Sequence, residues 1–182
     1  MSTANVLRRL SLFCVVLIVS GCASTQPRLK TVEKVDIERF MGRWYVIACI
    51  PAFIEAKAYN EVEEYILLTD GSIDTVLTFN KESFDGPLKR YNPRGFVVDR
   101  VNNSTWAMQF IWPFKAEYLI TYLKDDYSQT VIGRNKRDFF WYMARTPEVS
   151  KEDYDRIMEG LSAQGYQMKK VRKVPQRWDL QK

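Results

Sequence analysis

The side chains that could carry out chemistry in this chain are few, because its 182 residues include no histidine. That absence excludes Ser–His and Cys–His nucleophilic pairs, the usual zinc and haem ligand sets and the commonest general base near neutral pH. Cys49 is the remaining candidate nucleophile, and no activating base lies near it in the sequence. Because a buried cysteine without electropositive neighbours is unreactive, we expect no catalytic residue. An enzyme that uses Cys49 stays an open alternative.

Acidic residues cluster at positions 61–64, 125–126 and 152–153. A pair of carboxylates can act as acid and base, but these clusters are better explained as solvated strand edges, turns and a helix start. The chain has no phosphate-binding loop, dinucleotide-binding fingerprint or paired-cysteine motif, so we predict no metal site and no cofactor. Its 27 basic and 22 acidic residues are interspersed and give a net charge of +5, which indicates no nucleic-acid partner.

The N-terminal segment has the pattern of a targeting sequence. Arg8 and Arg9 precede an apolar run at 10–20, which is too short to span a bilayer as a helix. The run ends in Val-Ser-Gly-Cys at 19–22, which looks like a bacterial lipobox, in which the chain is cut before Cys22 and that cysteine is lipidated. Several acyl chains on Cys22 would satisfy the rule that stable anchoring needs more than one lipid signal.

This processing divides the chain into a signal peptide at 1–21, a polar tether at 22–34 and one folded domain at 35–182. Cys14 leaves with the signal peptide and Cys22 is lipidated, so Cys49 has no partner for an intramolecular disulfide. The domain must therefore rely on its hydrophobic core, and it is long enough to bury one.

Eight short segments of strand-forming residues fill most of this domain, separated by turn residues such as Asp70-Gly71 and Asp85-Gly86-Pro87. We place them at 44–50, 59–69, 73–80, 88–99, 105–112, 117–123, 129–132 and 139–146. Because no helix interrupts them, they predict an antiparallel up-and-down sheet that closes into an eight-stranded barrel. One helix follows, with Ser150 as its N-cap and Gly165 at its end, and a single apolar stripe places it outside the barrel. A short edge strand at 166–171 comes next.

Two distant motifs frame these strands. Gly42-x-Trp44 opens the first strand, and Arg145 ends the last one just before the helix. A guanidinium stacked on an indole ring gains cation–π energy and can still donate to backbone carbonyls. This combination resembles the signature of the lipocalins, in which the tryptophan closes the floor of the barrel and the arginine lies across its ring. The whole order of elements, from lipobox to final strand, is most similar to the bacterial outer-membrane lipocalin lipoproteins and their apolipoprotein D-like relatives.

The resemblance implies that Gly42, Trp44 and Arg145 form the barrel floor, and strand alternation then predicts the ligand-binding lining. Those lining residues are Leu77, Trp106, Met108, Phe110, Tyr118, Ile120, Trp141 and Met143. Trp44, Trp112 and Met143 could also simply fill the lower barrel. For the second strand, the sequence does not decide whether Glu61, Glu63, Tyr65 and Leu67 or the alternating set faces inward. Rim cations for a ligand head group could come from Lys57, Arg90, Arg94 and Lys115.

The resemblance further implies a non-catalytic protein that binds, stores or transports a fatty acid or lysophospholipid. It would be anchored to the outer membrane through Cys22, with the barrel facing the periplasm. Two alternatives remain: a structural envelope lipoprotein with a filled barrel, and a lipid-modifying enzyme that uses Cys49. A homodimer is one oligomeric state that the sequence leaves open.

Overall fold

The computed structural model of the protein describes residues 26–178, so the predicted signal peptide and Cys22 lie outside the described residues. Two α-helices and ten β-strands are present in this range. The helices are α1 (Ile37–Phe40) and α2 (Lys151–Ala163). The strands are β1 (Gly42–Ile50), β2 (Ala58–Leu67), β3 (Ser72–Lys81), β4 (Leu88–Tyr91), β5 (Arg94–Val97), β6 (Thr105–Ile111), β7 (Phe114–Leu123), β8 (Gln129–Gly133), β9 (Phe140–Ala144) and β10 (Arg172–Lys173).

The strands form one antiparallel sheet that closes on itself, because β1 pairs with both β2 and β9. Both β4 and β5 pair with β3. Together β4 and β5 correspond to the single strand predicted at 88–99. That strand is interrupted around Pro93, because proline has no N–H to donate to the ladder. The prediction of an eight-stranded antiparallel barrel with one helix outside is therefore confirmed. The tenth strand, β10, adds a two-residue pairing to the outer edge of β1.

An up-and-down barrel has two distinct ends. We call the end with the connections β2–β3, β5–β6 and β7–β8 the floor, since α1 and Trp44 lie there. The opposite end, with the connections β1–β2, β3–β4, β6–β7 and β8–β9, is the mouth. All eight principal strands run between these two ends.

Helix α2 begins as predicted, with the Ser150 hydroxyl accepting from the Asp153 N–H at 3.0 Å. Gly165 ends it in the left-handed region, at φ +90°. Ile157 and Leu161 are buried against the outer surface of the barrel. The predicted edge strand at 166–171 is displaced toward the C-terminus, because Met168–Lys170 forms a 3₁₀ turn and β10 starts after it. Neither helix in the described range has the length and apolar character needed to cross a bilayer.

Residues 26–34, predicted as part of the tether, contact the barrel wall. Arg137 in the β8–β9 connection donates to the carbonyl of Pro27, and the Leu29 N–H donates to Asn135 Oδ1 at 2.8 Å. Further along, the Val32 N–H donates to the Ile120 carbonyl at 3.0 Å. This segment therefore runs down the outside of the barrel from mouth to floor, and ordered contacts begin before residue 35.

Register shifts interrupt four of the strand pairings, and two of these β-bulges determine which way Cys49 and Tyr122 face. One lies between Val46 and Ala48 in β1, and the other between Ile120 and Tyr122 in β7. Each inserts one residue, so alternation restarts with the opposite face inward. As a result Cys49 points into the inner core, whereas Tyr122 packs in the outer core beneath α2.

Candidate ligand-binding site

The barrel floor is built around Trp44 and Arg145. Trp44 is fully buried, and its indole N–H donates to the carbonyl of Phe40 at 2.9 Å. The guanidinium carbon of Arg145 lies 3.7 Å from the centroid of the Trp44 ring. Its N–H groups also donate to the carbonyls of Arg43, Arg39 and Phe40 at 2.8, 2.8 and 3.0 Å. Arg145 thus joins the last strand to α1 and to the start of β1.

Gly42 and the charge of Arg145 complete this arrangement. Gly42 has φ +89°, a conformation that L-residues adopt only with strain. A Cβ there would lie 3.6 Å from Arg145 Nη1. Desolvation by the surrounding protein lowers the pKa of Arg145 to about 10, so the guanidinium keeps its positive charge at neutral pH.

A layer of packed aromatic rings lies directly above the floor. It consists of Phe40, Tyr65, Trp106 and Tyr118. Trp106 and Tyr118 stack with their centroids 5.4 Å apart, and the Trp106 N–H donates to the carbonyl of Asn103 at 2.7 Å. This layer fills the lower barrel, so ligand space begins only above it.

Above this layer is a cavity of about 470 Å³ that opens at the mouth. Five of the eight predicted ligand-binding residues line it: Leu77, Met108, Phe110, Tyr118 and Trp141. Trp106, Ile120 and Met143 do not line this cavity. They are buried in the inner core, because their positions on β6, β7 and β9 lie at the level of the filled lower barrel.

The remaining lining residues are not among those that the sequence predicts. Phe53, Ile54 and Glu55 come from the β1–β2 connection, and Arg134 and Phe139 from the β8–β9 connection. Further lining residues lie on or beside the strands: Ala52, Glu63, Thr75, Tyr91, Pro93, Ile111, Ala116 and Glu117. Loop residues carry no alternation, so strand periodicity gives no signal for them.

The second strand directs acidic residues inward. Glu61, Glu63 and Tyr65 are all buried, whereas Leu67 at the end of this set is partly exposed. Glu63 lines the cavity and accepts a hydrogen bond from the Tyr65 hydroxyl, which lies 2.5 Å from the hydroxyl of Tyr118. Burial raises the pKa of Glu63 to about 7, and the hydrogen bond from Tyr65 opposes this shift. One cavity wall is thus polar and titratable.

Glu55 adds a second carboxylate to the cavity wall. It is buried and accepts from the Ala52 N–H at 3.0 Å and from the Trp141 indole N–H at 3.3 Å. Burial raises its pKa. The two N–H donors hold the Glu55 side chain against the barrel. Its carboxyl group is therefore fixed beside Trp141.

Large apolar side chains surround the mouth in solvent. Phe53 is 96% exposed, Trp112 82% and Phe114 76%, and Ile111, which precedes Trp112, is also exposed. Trp112 therefore does not fill the lower barrel, because it lies at the β6–β7 connection, at the opposite end. We call Phe53, Ile54, Ile111, Trp112 and Phe114 the apolar rim.

The four cations predicted at the rim are absent from the cavity lining. Lys57 forms a surface ion pair with Glu82, and Arg94 lies 4.0 Å from Asp74. Lys115 lies over the ring of Phe96, and Arg90 is exposed. The cation that does line the cavity, Arg134, is 3.5 Å from Asp138.

Cys49 is fully buried in the inner core. Burial raises the pKa of its thiol far above the ordinary value, and the negative charges of Glu61 and Glu55 raise it further. Consider the predicted mature protein, in which Cys14 has been removed and Cys22 is lipidated. Because the thiolate is the reactive species, we expect no reaction with a thiol reagent such as Ellman's reagent when this protein is folded, and one equivalent of reaction after unfolding in guanidinium. Stoichiometric labelling of the folded protein at neutral pH would contradict this expectation.

The site offers an apolar, one-ended cavity with a polar wall. Among residues 26–178, no group of three or more cysteine or carboxylate side chains is placed to hold a metal ion. The dimensions and lining suit a ligand with a long apolar part and a small polar group.

Comparison with known proteins agrees with this architecture. The profile of the lipocalin-like domain matches residues 35–176. Temperature-induced lipocalin-1 of Arabidopsis thaliana is 28% identical over 160 residues, covering 83% of this chain and 84% of the plant protein. The outer membrane lipoprotein Blc of Vibrio cholerae is 22% identical over 171 residues, covering 93% of this chain and 99% of Blc.

A solved structure gives the same result for the fold. Insecticyanin from the tobacco hornworm Manduca sexta superimposes with a TM-score of 0.65 at 14% identity, over 85% of this chain and 86% of insecticyanin. The closed barrel, its external helix and the matching domain profile together show that this chain belongs to the lipocalin family, whose members bind small hydrophobic ligands in the barrel.

Proposed function

We propose that this lipocalin is a non-catalytic carrier that takes a lipid such as a lysophospholipid or fatty acid into its barrel while anchored to the outer membrane. The observation that carries the proposal is a barrel closed at one end by Trp44 and Arg145 and open at the other into an apolar cavity of about 470 Å³. A cavity closed at one end accepts an acyl chain lengthwise.

The cavity wall supports an acyl chain as the occupant. Leu77, Met108 and Phe110 present apolar surface, and methionine adapts to chains of different shape. Each buried methylene contributes about 0.8 kcal/mol, so affinity should rise with chain length until the cavity is full. Binding would then be driven mainly by removal of the chain from water.

The apolar rim supports exchange of lipid with a membrane. Its exposed side chains surround the entrance, and several of them also line the cavity. Tryptophan and phenylalanine favour the boundary between water and lipid. A rim resting on a bilayer would place the cavity entrance against the acyl chains, which fits storage of lipid or its transport between the membrane and the periplasm.

Lipidation of Cys22 is the proposed anchor. The sequence at 19–22 looks like a lipobox, and the similar proteins of Vibrio cholerae and Escherichia coli are named outer membrane lipoproteins. We therefore place the protein at the outer membrane, with the barrel in the periplasm.

The test uses tryptophan fluorescence of the delipidated protein during titration with a lysophospholipid. All five tryptophans lie within residues 26–178, and of these only Trp141 lines the cavity. We expect a fluorescence change that saturates near one equivalent of lysophospholipid. Trp141→Phe should lose most of this change, because the other four indoles do not line the cavity.

The matched control is Trp178→Phe. Trp178 packs against Tyr45 on the outside of the barrel, with their ring centroids 5.3 Å apart. This variant should keep the full response of the unsubstituted protein. A flat titration of the unsubstituted protein would contradict the carrier proposal and favour the structural alternative, an envelope lipoprotein that binds only a protein partner.

A further inference from the structure

Three glutamates lie buried along one wall of the barrel. Glu55 and Glu63 line the cavity, and Glu61 is fully buried on the same strand as Glu63. Repulsion from Glu55 and Glu63 adds to burial in raising the pKa of Glu61 well above its usual value. In the described part of the chain, none of the three carboxylates forms a salt bridge.

Glu61 lacks any hydrogen-bond donor among residues 26–178. Both of its carboxylate oxygens are buried and have no hydrogen-bond partner. The positive charge of Arg172 attracts the Glu61 carboxylate without a hydrogen bond between them, and Arg172 Nη1 has no partner either. Buried polar groups in native proteins almost always have partners, because leaving one unpaired is costly. Glu61 does not itself line the cavity, but it adds a third unpaired acidic group to the wall that carries Glu63.

Aromatic rings lie beside the same wall. Tyr91, Tyr118 and Trp141 line the cavity together with Glu55 and Glu63. Aromatic faces combined with carboxylates are the surroundings in which proteins recognise ammonium groups, through cation–π attraction and charge-assisted hydrogen bonds. The lining cation Arg134 comes from the β8–β9 connection at the mouth and lies 3.5 Å from Asp138, so it is paired with neither Glu55 nor Glu63, and its buried Nε has no partner among residues 26–178.

We infer that the cavity selects an amphiphile whose charged end is an ammonium group, held between Glu63 and Glu55 with the apolar chain directed toward the mouth. The inference rests on the proposed carrier function and narrows its ligand class: amine-bearing lipids are favoured, and a fatty acid would be the weaker of the ligands named there. An alkyl carboxylate in the same orientation would place another acidic group against a wall already lined by Glu55 and Glu63, where no cation pairs with it.

The experiment compares three ligands with the same chain: octylamine, octanol and octanoate. Their affinities are measured by calorimetry on the full-length protein in phosphatidylcholine nanodiscs, after subtraction of empty nanodiscs. We expect octylamine to bind at least about tenfold more tightly than octanol, and octanoate more weakly than octanol. In Glu63→Gln the advantage of the amine should fall to about threefold or less, with the affinity for octanol unchanged.

The matched control is Glu64→Gln. Glu64 is the next residue on β2, with its side chain on the opposite face of the barrel from Glu63. This variant removes the same charge from the outer surface and should keep the full preference for octylamine. Loss of the preference in Glu64→Gln would attribute it to the overall charge of the protein and overturn the inference.

A pH titration of the unsubstituted protein provides a test that needs no variant. Glu63 faces Tyr65 on its own strand, Tyr118 on β7 and the carboxylates of Glu55 and Glu61, with Cys49 and Arg172 farther along the wall. Its pKa of about 7 means that the carboxylate gains a proton as the pH falls from 8 to 6. Octylamine keeps its charge in this range, so its affinity should decrease while that of octanol stays constant.

The outcomes separate the two proposals. If octanol binds but octylamine shows no advantage, or keeps its advantage in Glu63→Gln, the selection of an ammonium group is wrong and the carrier function stands. Tighter binding of octanoate than of octanol would likewise overturn the selection and leave the carrier function intact. If none of the three ligands binds, both proposals fail.

Discussion

Replacing Arg145 with alanine should lower the free energy of unfolding by about 3 kcal/mol, through loss of the cation–π contact and of hydrogen bonds from a charged donor. The guanidinium lies 3.7 Å from the Trp44 ring and makes three hydrogen bonds of 3.0 Å or less. For a domain of this size we expect the melting temperature to fall by about 6–12 °C. Circular dichroism during heating measures this change.

Two further variants separate the geometry of Arg145 from its charge. Arg145→Lys keeps a cation but cannot donate to several carbonyls in a fixed fork, so it should recover only part of the loss. Arg43→Ala removes an arginine whose side chain is exposed nearby and should change stability little.

Ligand binding should survive in Arg145→Ala below its melting temperature, because the floor lies beneath the filled aromatic layer. An unchanged melting temperature would show that the floor assignment is wrong.

Replacing Ala116 with tryptophan should reduce the affinity for lysophospholipid by about a hundredfold or more, equivalent to the loss of several buried methylenes. Ala116 lines the cavity on β7 opposite Met108, near the mouth. An indole at this position would occupy the space in which we place the acyl chain. Titration with lysophospholipid, followed by tryptophan fluorescence, measures the effect.

The matched control places the same side chain on the other face of the barrel. Ala107 lies on β6 between the inward residues Trp106 and Met108, so its side chain points outward. Ala107→Trp should bind lysophospholipid like the unsubstituted protein. Undiminished binding in Ala116→Trp, with a fold unchanged by circular dichroism, would mean that the ligand occupies some other site.

The strands are predictable from the sequence because their side chains alternate and turn residues separate them. β3 and β6 follow this rule closely: Leu77 and Met108 line the cavity as alternation requires. The helix is equally clear, since Ser150 caps it and Ile157 and Leu161 recur on one face. These features depend on local sequence, which a single chain displays directly.

The errors in the predicted lining have a different origin. Alternation places Ile120 and Met143 in the cavity because it indicates which face a residue occupies and not how far it lies from the floor. Bulges then reverse the face itself, as at Tyr122. A bulge depends on pairing between strands and leaves no consistent local pattern, so the interior position of Cys49 is not predictable either.

The inward position of the buried glutamates is not predictable from the sequence for a related reason. Alternation on the second strand allows Glu63 to face either way, and a glutamate that faces a barrel interior contradicts the usual preference for exposure. Its environment depends on Tyr65 and Tyr118, which come together only through the pairing of distant strands. Glu55 lies in a loop, whose path the sequence does not specify.

The path of residues 26–34 along the barrel wall indicates which end of the barrel the proposed lipid anchor would hold. Pro27 contacts the β8–β9 connection at the mouth, and four peptide units between Cys22 and Gln26 reach about 14 Å at most. A lipidated Cys22 would therefore hold the entrance, and not the Arg145 end, next to the bilayer. A lipid could then pass between leaflet and barrel over a distance comparable to its own length, without diffusing through the aqueous periplasm.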